Sequence, residues 1–502
     1  MAPLQLMKSQ NRYVNINGMG LELSMTTLVA SGLVSIPRAL ITLLFISVTL
    51  SGCTTFSKDG GLGTVQKTTK DLIGKDVQWV KSAEDQDSVQ SRTKELLKKP
   101  LTVNDAVQIA LFNNKGLQAA FYDLGISEAD LVQAGKLPNP RFTMLHTKNN
   151  GNYEIEQSFT FNIFSLLTMP KALQIEKRLF EQTQRQTAME VLRLANETRK
   201  AYFKAVAADQ STHYMQQVRT AAEASAELAR NMVKAGNWRK LDQAREQGFY
   251  ADAALGVARA ERTRITAYEE LTRLMGLWGK QTQFTLPERL PDLPLTVDES
   301  NNIEQTAMDQ RLDLQSLRLQ TEALANQLGL TKATRFINVL EIGPARVLEG
   351  KRSDPYKKGF EITFEIPIFD WGTARVARAE AIYMQAINFV AETAVNARSE
   401  VRQSYKLYRS NYDIVKHYRD EIVPIRQRIA AENQLRYNGM LISAFELLVN
   451  AQLQVKSVNS YIEALRDFWL SQSDLEMALI GKPLFSGSTG SPMRDSQISM
   501  GR

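Results

Sequence analysis

The chain has very few cysteine and histidine residues. Of its 502 residues, one is cysteine and three are histidine. A single cysteine excludes an intrachain disulfide and a metal site built from cysteines. The histidines, His146, His213 and His417, lie far apart in the sequence, which contains no glycine-rich phosphate loop, nucleophile elbow or HExxH motif. The sequence therefore predicts no enzymatic activity, no metal site and no cofactor.

An excess of charge of one sign and long apolar runs are also missing. The formal net charge is +7, and the basic residues are interleaved with acidic ones rather than clustered with aromatic residues. This pattern argues against nucleic acid as a partner. The chain is 43% hydrophobic and 23% charged, which is typical of folded protein in contact with water. It excludes both a disordered chain and a bundle of membrane-spanning helices.

The only cysteine follows a short apolar segment near the N-terminus. Arg38 precedes the mostly apolar residues 39–50, which are too few to span a bilayer, and the sequence Leu-Ser-Gly-Cys then ends at Cys53. This pattern is typical of a bacterial lipoprotein cleavage site, and Thr54 in place of an aspartate fits sorting to the outer membrane. We therefore predict a signal peptide at 1–52 and a lipid on Cys53. The alternatives are a secretory signal with an incidental cysteine and a buried core helix.

A polar segment and a helix follow. Residues 53–100 are polar and charged, and they predict a lipid-anchored tether that leads into irregular or short helical structure. A helix is expected at 101–135, because Thr102 is a good N-cap and apolar residues follow at helical spacing. The sequence Leu-Pro-Asn-Pro at 137–140 ends this helix, since proline lacks the amide donor.

A β-hairpin and a helical hairpin are expected next. Residues 141–147 form a weak strand pattern and 154–164 a better one, because apolar and polar residues alternate. The 64 residues 171–234 contain neither glycine nor proline, and one helix of this length extends about 95 Å. Beyond a glycine and asparagine turn, residues 241–275 predict a return helix that packs antiparallel to it.

The second half of the chain repeats this order. It predicts a helix at 306–334, a strand at 359–369, a long helix at 373–438 and a return helix ending at residue 480. Apolar residues in its long helix recur every 3.5 residues on average, which is the coiled-coil period. The expected divisions are a first repeat at 101–294, a second repeat at 295–482 and a disordered tail at 483–502.

The amphipathic strands decide between two architectures. Periodicity alone favours a coiled-coil rod. Strands with phenylalanine and isoleucine on one face instead suit a membrane β-barrel with lipid outside and a polar lumen. Four strands per chain cannot close a barrel, and open edges are not tolerated in lipid, so three chains are needed to supply twelve strands. The predicted fold class is an α+β membrane protein with a duplicated repeat of helix, strand, strand and long helix hairpin.

Five short stretches, in their order within this duplicated architecture, resemble one family. They are 101–111, 137–140, 366–372, 437–440 and 446–448. Over about 101–483 the chain resembles the TolC-type outer-membrane efflux proteins. The resemblance implies a homotrimer with a twelve-strand β-barrel in the outer membrane and a twelve-helix α-barrel in the periplasm. It also implies that both helix hairpins meet a periplasmic adaptor protein and, through it, an inner-membrane pump.

The tips of the two helix hairpins are the predicted gate and adaptor-docking surface. The candidate residues are Gly236, Leu241 and Asp242 in the first tip, and Tyr437, Gly439, Glu446, Leu447 and Leu448 in the second. Gly236 and Gly439 are expected to permit reversal of the backbone. Similar proteins often have two acidic residues three apart after the second tip, but here Val449 occupies the second place. We therefore expect at most one acidic ring, from Glu446, with a solvated helix residue as the alternative.

Three functions stay open at this point. The favoured one is a passive outer-membrane duct of a tripartite efflux pump, which exports solutes across the periplasm and outer membrane. The second is the same duct in type I protein secretion, and the third is a coiled-coil lipoprotein scaffold that is not a channel. For either duct we expect a lipid-anchored protein in the outer membrane of a Gram-negative bacterium, extending into the periplasm.

Overall fold

The computed structural model describes residues 55–297, 302–337 and 339–483. The predicted signal peptide at 1–52, the predicted lipidation site Cys53 and residues 484–502 of the predicted tail lie outside them. Among the described residues, no helix is both long and apolar enough to cross a membrane. In the same part of the chain, no cluster of three or more histidine, cysteine or acidic side chains could hold a metal ion.

Two short helices lie in the segment where a tether was expected. Helix α1 spans Leu62–Ile73 and α2 spans Ala83–Leu96. Between them Trp79 is buried, with its ring 6.4 Å from that of Phe121. The Ser57 N–H donates a hydrogen bond to the Glu128 carboxylate at 2.6 Å. From Ser57 onward the segment is therefore docked on the first repeat.

The order of helices and strands occurs twice, as the sequence predicted. The first repeat contains α3 (Val103–Asn113), α4 (Lys115–Ala134), β1 (Arg141–Asn149), β2 (Asn152–Asn162), α5 (Ile163–Lys234) and α6 (Lys240–Leu274). The second contains α7 (Ile303–Gln310), α8 (Leu312–Ala333), β3 (Leu340–Gly350), β4 (Lys357–Phe364), α9 (Thr373–His417), α10 (Val423–Asn438) and α11 (Ala444–Ile480). A short 3₁₀ turn at Gly279–Thr282 lies in the connection between the repeats.

The helices expected at 101–135 and 306–334 are each broken in two. The breaks lie at Asn114 and Arg311, where ψ is 116° and 121°. Each side chain donates a hydrogen bond to a carbonyl near the end of the return helix. The Asn114 amide reaches the carbonyl of Leu274 at 3.0 Å, and the Arg311 guanidinium reaches that of Ala478 at 3.4 Å. Periodicity could not reveal these breaks, because the apolar spacing continues across them.

Arg311 is the largest fully buried side chain among the described residues. Its guanidinium lies 2.6 Å from the carboxylate of Asp313 and 2.8 Å from that of Glu400. Burial acts to lower the pKa of Arg311, but the hydrogen bonds and charges of the two carboxylates outweigh it and raise the pKa above its ordinary value. Arg311 therefore stays charged and ties α8 to α9.

The four strands form one antiparallel sheet in the order β1-β2-β3-β4. Two expected strand ends were wrong. β2 ends at Asn162, whose side chain accepts a hydrogen bond from the Ser165 N–H at 2.8 Å and caps α5, so residues 163 and 164 are helical. β4 ends at Phe364 rather than at residue 369, because Pro367 cannot donate to a strand ladder.

Strand β3 was not located in the sequence. Gly343 and Pro344 interrupt its pattern, and both residues weaken a strand assignment. In the sheet, a Cβ at residue 343 would collide with the carbonyl of Phe159. The close approach of β2 therefore requires glycine at this position, which explains why the most strand-breaking part of β3 is nevertheless paired.

The two long helices differ. α5 has 72 residues, or about 108 Å, and Pro170 lies inside it rather than before it. The helix expected at 373–438 is interrupted by a π turn at Tyr418–Ile422, between α9 and α10. Pro424 follows this turn and has no N–H to contribute to the helical ladder, and the Val423 N–H donates to the carbonyl of Tyr418, five residues back.

A hydrophobic core joins the two repeats. Its buried residues include Phe121, Val191, Leu271 and Phe468, from α4, α5, α6 and α11. The connection at 276–297 packs across it, and the Tyr412 hydroxyl of α9 donates to the Leu295 carbonyl at 2.8 Å. Because the core lies between the sheet and the helix tips, it fixes the direction in which both helix hairpins extend.

Candidate functional site

The sheet has one apolar and one polar face. The pairing places Phe142 opposite Phe159, and Ile342 between Phe161 and Ile362. Because side chains alternate along a strand, these residues share a face. This apolar face comprises Phe142, Phe159, Phe161, Leu340, Ile342, Phe360, Ile362 and Phe364. Most of it is exposed, with Phe360 at 75%.

The opposite face is polar and partly buried. Ser158, Thr160 and Glu341 are buried there. The Glu341 carboxylate accepts a hydrogen bond from the Thr160 hydroxyl at 3.3 Å and pairs with Arg141 at 3.3 Å. In a sheet surrounded by water the apolar face is buried and the polar one exposed, so this arrangement is reversed. An exposed apolar face of this extent indicates contact with lipid or with another protein.

The exposed apolar surface continues where the strands join the helices. It includes Ile366, Ile368, Phe369 and Trp371, within the 366–372 stretch that resembles the family. The Trp371 ring packs edge-on against Phe336, with ring centroids 6.1 Å apart. Gly372 then begins α9 at φ +71°, where a Cβ would lie 2.6 Å from the Arg335 carbonyl oxygen. The stretch is therefore a tight turn that displays apolar side chains, and not the end of a strand.

The first helix-hairpin tip is built on Gly236. This residue has φ +79°, in the left-handed region that favours glycine. The Asn237 N–H donates to the Met232 carbonyl at 2.9 Å and the Gly236 N–H to the Val233 carbonyl at 3.0 Å. This pair of bonds is a Schellman helix end. Gly236 thus permits the reversal of the backbone, as the sequence predicted.

The other two candidate residues of the first tip have different surroundings. Leu241 is 56% exposed. Asp242 is only partly exposed, because Arg239 and Arg245 pair with its carboxylate at 3.2 Å and 3.5 Å. The charge of Asp242 is therefore neutralised locally, and the main feature that this tip offers to a partner is an apolar side chain.

The second tip does not use Gly439 as predicted. Gly439 has φ −82°, which any residue adopts, and Met440 takes the left-handed conformation at φ +60°. The Leu441 N–H donates to the Arg436 carbonyl at 2.8 Å and the Met440 N–H to the Tyr437 carbonyl at 3.0 Å. The helix end is thus the same Schellman motif placed one residue later, so the expected role of Gly439 in the reversal was wrong.

The remaining candidates of the second tip lie around the start of α11. The Ser443 hydroxyl accepts a hydrogen bond from the Glu446 N–H at 3.3 Å and caps this helix. Glu446 is exposed and forms no ion pair with a described residue, Leu447 and Tyr437 are half-buried, and Leu448 is buried. Glu446 therefore faces solvent, whereas Leu447 is partly covered and Leu448 is a buried packing residue.

Sequence reasoning missed an apolar surface at the second tip. Leu435, Met440 and Leu441 are 67%, 93% and 77% exposed. The sequence contained a sign of this surface. Met440 and Leu441 are apolar residues between a helix-ending glycine and the Ser443 cap, where turn residues are usually polar. Exposed apolar side chains in a turn point to a partner rather than to a core.

Solved structures match the chain, whereas no family model and no curated protein does. CusC, a protein described as forming a transmembrane channel, aligns with TM-score 0.65 and 17% identity over 76% of this chain and 92% of CusC. The CmeC outer membrane channel of Campylobacter jejuni aligns with TM-score 0.64 and 16% identity over 75% of this chain and 85% of CmeC. The MtrE outer membrane channel of Neisseria gonorrhoeae aligns with TM-score 0.62 and 17% identity, covering 76% and 89%.

These sequence identities are too low to transfer the roles of individual residues, so the alignments show the fold alone. The aligned region covers most of each channel protein, so the likeness extends beyond a single helix hairpin. The chain therefore has the fold of outer-membrane channel proteins, in agreement with its resemblance to the TolC type.

Proposed function

We propose that this chain is the outer-membrane subunit of a tripartite efflux system, and that three copies form a passive duct for solutes. The observation that carries the proposal is the sheet, whose apolar face is exposed while residues of its polar face are buried. In a membrane barrel the first face contacts lipid and the second lines a polar lumen. The fold shared with CmeC and MtrE, both outer membrane channels, supports this placement.

Three chains are proposed because one sheet cannot close on itself. Within the described residues, β1 and β4 each pair on one side only, and open strand edges are not tolerated in hydrocarbon. Joining β1 of one chain to β4 of the next closes a barrel of twelve strands in a trimer. Exposed apolar residues alternate from Phe360 to Phe364 in β4 and continue in the turn that follows, so the apolar surface extends beyond the paired strand.

The helix hairpins form the part of the duct in the periplasm. α5 extends about 108 Å, several times the roughly 30 Å of a bilayer core. Its tip and that of the second repeat carry the exposed side chains of Leu241, Met440 and Leu441. We propose that these tips meet the adaptor protein and, through it, the inner-membrane pump, because apolar side chains at the end of a polar helical tube need a protein partner.

Cys53 is the proposed site of the lipid anchor in the outer membrane. The proposal rests on the cleavage-site pattern and on its being the only cysteine. Radiolabelled palmitate should enter the wild-type protein in cells and not the Cys53→Ser variant. The variant should still reach the outer membrane, because the barrel also holds the protein there. Equal labelling of both proteins would contradict acylation at Cys53.

Conductance and mass test the duct. The purified protein should have the mass of three chains in detergent and should conduct ions across a planar bilayer. A trimer without conductance would favour the coiled-coil scaffold, and a conducting monomer would contradict the closure argument.

Adjacent residues on opposite faces of β4 provide a matched pair. Ile362→Arg places a cation within the apolar face, where arginine against lipid costs up to roughly 2–4 kcal/mol toward the bilayer centre, and should reduce insertion into vesicles. Glu361→Arg changes the polar face and should leave insertion intact while shifting ion selectivity. If Ile362→Arg inserted as well as the wild type, the apolar face would not be the lipid-facing surface.

A further inference from the structure

A row of four side chains, three of them polar or basic, crosses the sheet through the middle of β2 and β3 and close to the start of β4. The register places Gln157 between Met144 and Arg346, and Arg346 opposite Lys358. We name these four residues the outer row. Met144, Gln157 and Lys358 each lie two positions beyond a residue of the apolar face, and Arg346 lies two beyond Pro344, which pairs with Phe360. All four are on the side away from the helices, so the outer row shares that face.

Arg346 is held in place on this face. Its Nε donates a hydrogen bond to the Gln157 side-chain oxygen at 2.7 Å. Its guanidinium also lies 4.9 Å from the centre of the Tyr356 ring. These contacts use one edge and one surface of the guanidinium group. The two terminal nitrogens form no ion pair with any described residue, so the planar fork is available to an anion.

The neighbouring lysines of β4 differ in their partners. Lys357 lies on the polar face, where its ammonium group pairs with Glu349 at 2.8 Å. Lys358 lies on the apolar face, is exposed, and pairs with no acidic group in the described part of the chain. Two consecutive lysines thus have opposite orientations, and only the one on the apolar face lacks a counterion.

The depth of the outer row in a membrane follows from the proposed barrel. On the helix side of the outer row, exposed apolar side chains continue from Phe360 through β4 and into the turn at 366–372. The outer row begins directly beyond Phe360, at the level of the lipid headgroups in the outer leaflet. Unpaired cations facing lipid are unfavourable unless an anion compensates them, and lipid phosphates are the anions found at this depth.

We infer that Arg346 and Lys358 bind the phosphate groups of a lipid in the outer leaflet. The inference rests on the proposed function, because it requires the sheet to be a membrane barrel. Arg346 offers its two terminal nitrogens to one phosphate in a bidentate manner, and Lys358 adds a point charge from the adjacent strand. Gln157 positions Arg346 and does not itself contact the lipid.

Native mass spectrometry of the detergent-purified full chain tests the inference. The probe is bis-phosphorylated lipid A, compared with dephosphorylated lipid A carrying the same acyl chains. The Arg346→Gln, Lys358→Gln double variant should bind the phosphorylated probe roughly thirtyfold more weakly, as expected for two basic groups near an anionic surface. Binding of the dephosphorylated probe should be weak and unchanged. Lys357→Gln is the matched control and should bind the phosphorylated probe within about twofold of the wild type, because Lys357 faces the lumen.

The failure of this inference can be distinguished from failure of the proposed function. If the double variant inserts and conducts like the wild type but retains the phosphorylated probe equally, the outer row is not a phosphate site. Equal losses for the Lys357 control would show a general charge effect and also overturn it. If the wild type neither inserts nor conducts, the barrel itself is wrong. If the double variant fails to assemble, Lys358→Gln alone provides the test, because this change removes no hydrogen bond between described residues. It should weaken binding of the phosphorylated probe several-fold.

Discussion

The two repeats share one order of elements but use different chemistry at equivalent places. Both are bent between their two short helices, at Asn114 and Arg311, and both bends are tied to the end of the return helix. The neutral amide of Asn114 needs no counterion there. Arg311 is fully buried and requires two carboxylates. The two bends therefore have equivalent geometry, but loss of the side chain should destabilise the protein more at the second bend than at the first.

The helix-hairpin tips also differ, and the second repeat again has the less favourable arrangement. The first tip places glycine in the left-handed conformation, whereas the second places Met440 there, beside a glycine that does not need its freedom. The second long helix also contains a π turn before Pro424, and the first runs without such a turn from Ile163 to Lys234. Within the helix hairpins, the left-handed non-glycine residue and the π turn thus both lie in the second repeat, and we expect its hairpin to be the less stable of the two.

The largest expected difference lies at the two bends. Arg311→Ala should destabilise the protein by roughly 3–5 kcal/mol, because it leaves the buried Asp313 and the partly buried Glu400 carboxylates without their cation. Asn114→Ala removes a cap and one hydrogen bond and should cost about 1–2 kcal/mol. Thermal unfolding of the detergent-solubilised protein measures both.

A combined variant sharpens this comparison. Arg311→Met together with Asp313→Asn and Glu400→Gln removes all three charges and should recover part of the lost stability, since no buried charge is then left without a partner. If Arg311→Ala were no more destabilising than Asn114→Ala, the charge cluster would not be what distinguishes the repeats.

Substitution by alanine should affect the glycines of the two tips differently. Gly236→Ala places a side chain at positive φ and should weaken the first hairpin by roughly 1 kcal/mol. Gly439→Ala should be neutral, because φ is ordinary and a Cβ would make only normal contacts of 3.6 Å or more. Met440→Gly should stabilise the second tip by up to about 1 kcal/mol. Amide hydrogen exchange near each tip separates these effects, and equal losses from both alanine variants would contradict the assigned backbone conformations.

The smallest expected effect concerns charge at the tips. Glu446 is exposed without an ion-pair partner in the described residues, whereas Asp242 is paired with two arginines. If three copies of Glu446 form an acidic ring, Glu446→Gln should lower the preference for cations in bilayer recordings by a few-fold. Asp242→Asn should leave it unchanged. Unchanged selectivity in Glu446→Gln would identify Glu446 as a solvated helix residue that follows the Ser443 cap.

Several features of the fold could be predicted because they depend on neighbouring residues. The absence of glycine and proline over 64 residues predicts a long helix, since each residue adds its own ladder bond. The alternation of Phe and Ile with polar residues in β2 and β4 predicts a two-faced sheet for the same local reason. The start and end of these elements were less predictable, because Asn162 and Pro367 act through single hydrogen bonds gained or lost.

The sequence by itself determined the duplicated order of elements, the presence of the long helix hairpins and the amphipathic character of β2 and β4, since all three follow from periodicity and from the absence of breaking residues. Only the tertiary structure decided where the chain bends and which residues lie together. The breaks at Asn114 and Arg311 exist because carbonyls about 160 residues away accept their hydrogen bonds. The left-handed conformation fell to Met440 rather than to Gly439 because the end of α10 sets the position of the turn. The outer row of Arg346 and Lys358 likewise depends on strand register, which joins residues from both repeats.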